Sequence, residues 1–383
     1  MRIGMVGDTF LPLTGGAEYH ILEISRALRK MGYDIAILTA VPGDREVEGF
    51  QVTRLPGLDG SSFRTLMHLP FALPRFAKFI QACDVVHCHY SYLFAFLATI
   101  LARVYHKPSL VTLHGLGTLD SSVRSSAIRR LYRYSSLKLA TTVIATSSEM
   151  KEVAGRFTPA ERIAQIPNGV DTHCFSPQPA PENDGRPPVV LTMRRLVPKN
   201  GVQYLVEAAP MIIRDHPDVQ FSIVGTDRLE GYLKKRAADL GIAEHFRFVG
   251  EVPHDRARDY FAQADVVVFP SSAESTSLAC LEAMAMEKAV VASRLTAFKE
   301  MLGENERGIL VSLFDRESSD YEAAMTLPED RLKILADAVS GLLRDRDLRL
   351  RLGKAARQYT VANYDWSIIA SKTGAIYQKV ARP

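Results

Sequence analysis

Two carboxylates late in the chain stand eight positions apart, in Pro270-Ser271-Ser272-Ala273-Glu274 and Glu282-Ala283-Met284-Ala285. The apolar run 266–269 reads as a strand leading into the first, and 277–286 as a helix carrying the second. An ionised carboxylate only accepts hydrogen bonds, so Glu274 on its loop suits sugar hydroxyls and Glu282 on its helix suits a ribose diol. Between them Ser275, Thr276 and Ser277, followed by Leu278, can cap the helix and leave backbone N–H groups for a phosphate. Glutamates at this spacing are often only surface groups. The small polar loop after an apolar strand favours a ligand role.

A second set, Met193-Arg194-Arg195-Leu196-Val197-Pro198-Lys199-Asn200-Gly201, lies between a strand at 189–193 and a helix at 201–213. Arg and Lys there can neutralise a departing diphosphate, whose charge grows in the transition state; solvent-facing cations are the simpler alternative. A third set, Pro12-Leu13-Thr14-Gly15-Gly16-Ala17-Glu18, joins the strand 3–6 to the helix 18–31. Gly15 and Gly16 permit close backbone approach to a ligand, although an ordinary tight turn has the same composition. His114, in Thr112-Leu113-His114-Gly115, closes another strand and can meet a sugar hydroxyl or position an acceptor, with a purely structural histidine as the alternative. His87-Cys88-His89 is only superficially a zinc fragment, because successive strand residues face opposite sides. No metal site is expected. Asn168-Gly169-Val170-Asp171 reads as a turn that closes the first half.

The elements that must position these groups alternate. Strand, helix and strand follow within the first forty residues, which is a βαβ unit with parallel strands. Further strands are expected at 52–55, 85–88, 109–113 and 142–146. Pro177, Pro179, Pro181, Pro187 and Pro188 surround Asn183-Asp184-Gly185 and make a linker. A second alternating set then adds strands at 219–224, 246–249, 266–269 and 289–292 with helices at 230–240 and 257–263. From Leu332 the chain reads as helical, interrupted around 360–365, with Trp366 anchoring a helix. In open parallel sheets ligands collect beyond the carboxyl ends of the strands, where the candidate residues fall.

Length and composition agree with two domains: 383 residues, 47% hydrophobic and 23% charged. The longest apolar stretch, 93–102, is far short of a bilayer span, and the N-terminus lacks the apolar core of a signal peptide. Cys83, Cys88, Cys174 and Cys280 lack metal-ligand spacing and fit free thiols in a reducing cytoplasm. The net charge of +4 does not suggest nucleic acid. Its distribution is uneven: residues 1–180 hold 19 Lys and Arg against 14 Asp and Glu. Between Asp120 and Glu149 there is no acidic residue, while Arg124, Arg129, Arg130, Arg133 and Lys138 all fall there. That segment is either a solvated face or a surface for an anionic membrane or acidic acceptor.

In this order the segments resemble the retaining glycosyltransferases of family 4, which have the GT-B fold. The likeness rests on Gly15-Gly16, His114-Gly115, Asn168-Gly169-Val170-Asp171, the Arg195-Leu196 to Gly201 loop, the Glu274 and Glu282 pair, and the Tyr364-Asp365-Trp366 segment. It implies two Rossmann-like doubly wound α/β domains facing across a cleft. Residues 1–176 would bind acceptor, 177–188 would link, 189–358 would bind nucleotide sugar, and 359–383 would cross back to the first domain. By the same resemblance Gly15 and Gly16 would face the donor diphosphate, and His114 the transferred sugar. Arg195 and Lys199 would bind phosphate, Glu274 the sugar hydroxyls and Glu282 the ribose. The chain departs from the family twice. Asn200 stands where a lysine usually precedes the loop glycine, and Glu274-Ser275-Thr276-Ser277-Leu278 replaces Glu-Gly-Phe-Gly-Leu.

The implied reaction moves a sugar from a UDP- or GDP-sugar to a hydroxyl acceptor with retention, without a metal or other cofactor, the leaving phosphate helping to remove the acceptor proton. UDP-glucose, UDP-N-acetylglucosamine, UDP-galactose and GDP-mannose all fit. The acceptor would be a glycan, glycolipid or small molecule, with cell-envelope synthesis at the inner face of the membrane as the expected setting. The rival readings are a nucleotide-sugar epimerase or hydrolase on the same fold, and a catalytically decayed nucleotide-sugar-binding scaffold. A dinucleotide oxidoreductase lacks its G-x-G-x-x-G signature in both halves.

Overall fold

The computed structural model describes residues 1–13, 15–57, 62–90, 92–115, 127–177, 185–316 and 324–381, with the backbone alone at 62–66 and 127–129. Thr14 of the glycine loop, Arg124 of the basic segment, and most of the expected linker, including Pro179, Pro181, Asn183 and Asp184, lie outside the described residues. The chain packs as two units: Met1–Gly169 with Trp366–Pro383, and Val170–Asp365. The division therefore falls at residues 169 and 365, where the sequence placed it at 176 and 358. Val170 and Phe175 explain the difference, because both are buried in the core of the second unit.

The first unit runs β1 (Arg2–Gly7), α1 (Gly16–Lys30), β2 (Asp34–Thr39), β3 (Glu46–Val47), β4 (Phe50–Arg54), α2 (Ser62–Gln81), β5 (Val85–His89), α3 (Leu93–Val104), β6 (Ser109–Leu113), α4 (Ala127–Leu139), β7 (Thr142–Ala145), α5 (Ser148–Gly155) and β8 (Ile163–Gln165). Among the described residues the sheet order is β3-β4-β2-β1-β5-β6-β7-β8. Only the β3–β4 pairing is antiparallel. All residues of β5 and β6 are buried, as strands covered on both faces must be. α1 turns Ile21, Leu22, Ile24 and Leu28 inward and places Glu18 at its start and Arg29 and Lys30 at its end, each complementing the helix dipole. α2 was not visible in the sequence because Pro70 and Pro74 lie inside it, and interior prolines argue against a helix.

The second unit runs β9 (Val189–Met193), α6 (Val202–Asp215), β10 (Gln220–Val224), α7 (Glu230–Asp239), β11 (Phe246–Gly250), α8 (Ala257–Gln263), β12 (Val266–Phe269), α9 (Leu278–Ala285), β13 (Ala289–Ser293), α10 (Thr296–Leu302), β14 (Ile309–Val311), α11 (Glu329–Arg344) and α12 (Arg346–Asn363). Its parallel sheet has the order β11-β10-β9-β12-β13-β14. This is the doubly wound order of nucleotide-binding α/β domains, reversing direction between β9 and β12. The final helix, α13 (Trp366–Val380), belongs to the first unit and packs along α1. Trp366 is buried at its start, with its ring against Gly169 and edge-on to His20 at 5.2 Å.

No helix among the described residues is long and apolar enough to cross a membrane. The apolar stretch from Leu93 forms α3, which packs on β5 and β6.

Candidate functional site

Each sheet reverses its winding once, and in open parallel sheets ligands collect at the carboxyl ends of the two strands on either side of such a reversal. In the second unit the loops at those ends are 194–201 after β9 and 270–277 after β12, the two segments singled out in the sequence. Arg194 is the hub. Its Nη2 donates to Glu274 Oε2 at 2.5 Å and to Asn200 Oδ1 at 2.9 Å, and its Nη1 donates to Ser277 Oγ at 2.8 Å. The Arg194 and Glu274 side chains are only 9% and 12% exposed. Burial alone would raise the Glu274 pKa. The charges of Arg194 and Lys199 and hydrogen bonds from Arg194 and the Ser275 N–H outweigh it and hold the carboxyl below its usual range. Lys199 is pushed down, first by burial and then by the two arginines beside it, against the pull of Glu274.

The local chain makes this arrangement possible. Asn200 Nδ2 donates to the Arg195 carbonyl at 2.7 Å, so its side chain closes the loop on which Arg194 and Lys199 stand. The Ser272 N–H donates to the Lys199 carbonyl at 2.8 Å and ties the β9 and β12 loops together. Gly201 caps α6 at φ +71°, and a Cβ there would stand 1.9 Å from the Pro270 carbonyl oxygen. Ser277 accepts from the Cys280 N–H at 3.3 Å and caps α9. Ser275 and Thr276 are buried beside it, and Leu278 begins the helix. Glu282, on α9, is also buried and accepts from His254 Nε2 at 2.6 Å.

The sequence singled out Arg195 for phosphate, whereas Arg194 is the arginine that meets Glu274. Arg195 is exposed and its guanidinium makes no ion pair or hydrogen bond among the described residues. Successive residues leaving a strand point to opposite sides, and a run of two arginines does not say which of them turns inward. His254 was also missed, since it lies outside every motif.

In the first unit the carboxyl ends of β1 and β5 flank the reversal. Gly15 is extended at the N-cap of α1, and Gly16 is the first residue of that helix. His114 joins a cluster that the sequence did not assemble. His89 Nδ1 lies 3.1 Å from His114 Nε2, and His20 packs on His114 with ring centres 4.6 Å apart. His20 Nδ1 is 2.8 Å from Asn168 Oδ1, which gives the Asn-Gly turn its place in the cluster. His87 is held on both nitrogens, 2.5 Å from the Tyr377 hydroxyl and 2.7 Å from Thr112 Oγ1. Burial lowers all four imidazoles, His20 to about 4 and His87 to about 3, so they are neutral near pH 7. Nitrogens of His20, His89 and His114 lie within 4.8 Å of one another, a spacing that could hold a metal ion. His20 and His89 are already engaged with Asn168 and His114. Asp8, just past β1, accepts from the Phe94 N–H at 3.3 Å, and burial pushes its carboxyl up to about 7.

Of the basic segment, Arg130, Leu131 and Lys138 are exposed on α4. Arg133, counted with that face in the sequence, is instead turned inward. The Arg129 side chain lies outside the described residues.

Known proteins match this geometry along the whole chain. Residues 14–173 match the family model described as Glycosyltransferase Family 4, and residues 178–359 match that of Glycosyl transferases group 1. The phosphatidyl-myo-inositol mannosyltransferase of Mycobacterium tuberculosis (strain ATCC 25618 / H37Rv) is 30% identical over 399 residues, covering 100% of this chain and 97% of that one. The chain belongs to glycosyltransferase family 4. This family 4 member is a GT-B glycosyltransferase that uses a nucleotide-sugar donor. It is also 30% identical to the alpha-maltose-1-phosphate synthase of Mycolicibacterium smegmatis, with 100% of each chain covered. Its fold is similar to that of Anabaena HepE in complex with UDP and glucose, with a TM-score of 0.80, 19% identity and coverage of 99% and 100%.

Proposed function

We propose that this glycosyltransferase moves the sugar of a GDP- or UDP-sugar to a hydroxyl of an envelope glycolipid, with retention and without a metal ion. The observation that carries the reading is the largely buried Glu274 carboxylate held by Arg194 at the reversal point of the second sheet. Glu274 would accept from hydroxyls of the donor sugar and Glu282 from the ribose. Lys199 and Arg195 on the β9 loop would neutralise the diphosphate, and Arg194 would fix the Glu274 carboxylate. N–H groups in the first turn of α9, near Ser275 and Thr276, would serve phosphate oxygens. With cations and amides available, the departing diphosphate needs no divalent ion. It would itself take the acceptor proton on the face where the new bond forms. In the first unit Gly15 and Gly16 would admit the diphosphate closely, and neutral His114 would meet a hydroxyl of the transferred sugar.

Support for a glycolipid acceptor comes from relatives named for phosphatidyl-myo-inositol mannosylation and GDP-mannose dependence. The exposed Arg130 and Lys138 beside Leu131, itself 57% exposed, suit peripheral contact with an anionic inner membrane face.

The test is a metal-free binding and transfer assay with GDP-mannose and UDP-sugars, comparing wild type with Glu274→Gln and Glu282→Ala. Retained anomeric configuration in the product, insensitive to chelator, is expected. Free sugar released at the same rate with and without acceptor would favour a hydrolase, and donor binding without turnover a scaffold.

A further inference from the structure

Parallel strands covered on both faces are apolar throughout, and the sheet edge formed by β10 and β11 keeps that rule on one face only. There Phe221 and Phe246 stack with ring centres 4.7 Å apart and join the core. On the opposite face Ser222 stands beside Arg247 in the strand register, and Gln220, two residues earlier, shares that face. The side chains of Gln220, Ser222 and Arg247 make no hydrogen bond or ion pair among the described residues.

The helix over this face is too short to cover it. α8 has seven residues, roughly 10 Å of helix, against about 16 Å for the five-residue strands β10 and β11. It turns Ala257 and Phe261 into the core, while Arg256, Tyr260 and Gln263 recur at helical spacing along its flank. Between that flank and the strands lie two adjoining cavities of about 240 and 230 Å³, which share Arg247, Tyr260 and Gln263. The smaller takes in Gln220, the first residue of β10, at the end of the sheet opposite the 194–201 and 270–277 loops. Each is below the roughly 300–1,000 Å³ of sites for drug-sized ligands, a size that suits one sugar unit and not a nucleotide sugar.

The groups on the two walls select the ligand. Arg247 is exposed and unpaired, and Arg256 Nε pairs with Asp259 at 2.9 Å. Asp259 is the one carboxylate lining the larger cavity against these two guanidiniums, so the groove keeps positive charge. One guanidinium fork satisfies a carboxylate, whereas a phosphate ester presents three strong acceptor oxygens and draws donors from two. Half-buried Tyr260 offers a ring against which the C–H face of a pyranose packs, and Gln220, Ser222 and Gln263 offer donors and acceptors to its hydroxyls. We propose that the groove between α8 and the β10–β11 edge binds a phosphorylated sugar at a site separate from the donor site, with the phosphate on Arg247 and Arg256. A free sugar phosphate and a phosphate-bearing sugar within a glycan share this chemistry.

The experiment titrates glucose 6-phosphate into the full chain at constant ionic strength, following heat and melting temperature, with and without saturating GDP or UDP. Wild type should bind it at least about tenfold more tightly than glucose, and equally well with nucleotide present. Arg247→Gln should weaken binding by at least about tenfold, and because Arg247 is exposed this variant should melt as wild type does. Tyr260→Ala should weaken glucose 6-phosphate more than inorganic phosphate, which has no sugar face to pack on the ring. Lys235→Gln removes the same charge from an exposed position on α7 and should bind as wild type. Nucleotide binding is read in the same titrations, so a chain that binds glucose 6-phosphate but no nucleotide sinks the donor reading and leaves this site standing. Methyl glucoside 6-phosphate, blocked at the anomeric carbon like a sugar within a chain, separates the two sources. Unchanged affinity admits a glycan unit, and lost affinity restricts the site to free sugar phosphates. No response to glucose 6-phosphate in wild type, an equal response in Arg247→Gln, or displacement by nucleotide overturns the proposal.

Discussion

Arg194 Nη2 and Glu274 Oε2 lie 2.5 Å apart although 80 residues separate them in the chain. Their strands, β9 and β12, are neighbours at the point where the sheet reverses. Removing one member leaves a buried charge unanswered. Arg194→Met is expected to destabilise the protein by about 3–5 kcal/mol, and the added change Glu274→Gln should recover much of it. Urea unfolding of the two single variants and the double variant measures the coupling.

The same pair sets an acid limit. The Glu274 pKa is depressed in the folded state, so its stabilisation is present above the ordinary carboxylate pKa and is lost as pH falls through the lower folded value. In Arg194→Met the depression is relieved, so the acid-side loss due to Glu274 should shrink, and the stability profile should be displaced from that of wild type at low pH. Unfolding curves between pH 3 and 6 would read this displacement, and superimposable profiles would refute it.

Glu282 and His254 offer a separate handle on donor affinity, since His254 Nε2 holds Glu282 Oε1 at 2.6 Å. Glu282→Ala should raise the donor KM by about tenfold or more with a smaller change in kcat, as expected for a group that binds ground state and transition state alike. His254→Gln, which keeps a donor, should lie between that variant and wild type. A fall confined to kcat would argue against a ribose role.

The histidine cluster makes stability fall on acidification, as a depressed carboxylate does, but over a higher pH range. His20 and His87 fall from 6.5 to about 4 and about 3, so the unfolded chain takes up protons first. Their contribution is complete above pH 6.5 and is lost on acidification, at up to about 1.4 kcal/mol per pH unit for each histidine. Asp8 runs the other way: raised to about 7, it stabilises at low pH and loses that contribution as pH rises through 7. His20→Gln should therefore flatten the stability profile between pH 4 and 6.5, and Asp8→Asn should steepen it.

Gly201→Ala tests the backbone that carries the β9 loop. At φ +71°, with a Cβ placed 1.9 Å from the Pro270 oxygen, the substitution is expected to lower stability by at least about 2 kcal/mol. Donor affinity should fall with it, because Lys199 and Asn200 immediately precede this glycine.

Much of this protein is legible before folding because it depends on local periodicity. The runs 34–39, 109–113, 189–193 and 266–269 are strands because parallel sheets bury both faces and demand continuous apolar residues. Helix α1 followed from apolar residues recurring at helical spacing, and Ser277 was recognisable as a cap for α9. That Glu274 stands on a loop and Glu282 on the helix after it was visible because loop and helix adjoin in sequence.

Orientation and long-range company were not legible. Whether Arg194 or Arg195 faces Glu274, and whether Arg133 lies on the surface or under Tyr92, depends on the angle at which a loop or helix meets its neighbours. The histidine cluster draws His20 from α1, His89 from β5 and His114 from the end of β6, with Asn168 from beyond β8, and no local spacing encodes that meeting. Sequence periodicity reports which face of an element is apolar, through interactions a few residues long. The charge, tautomer and reach of a buried polar group depend on what burial removes and which partner restores it, and those partners are supplied by the packing of distant strands.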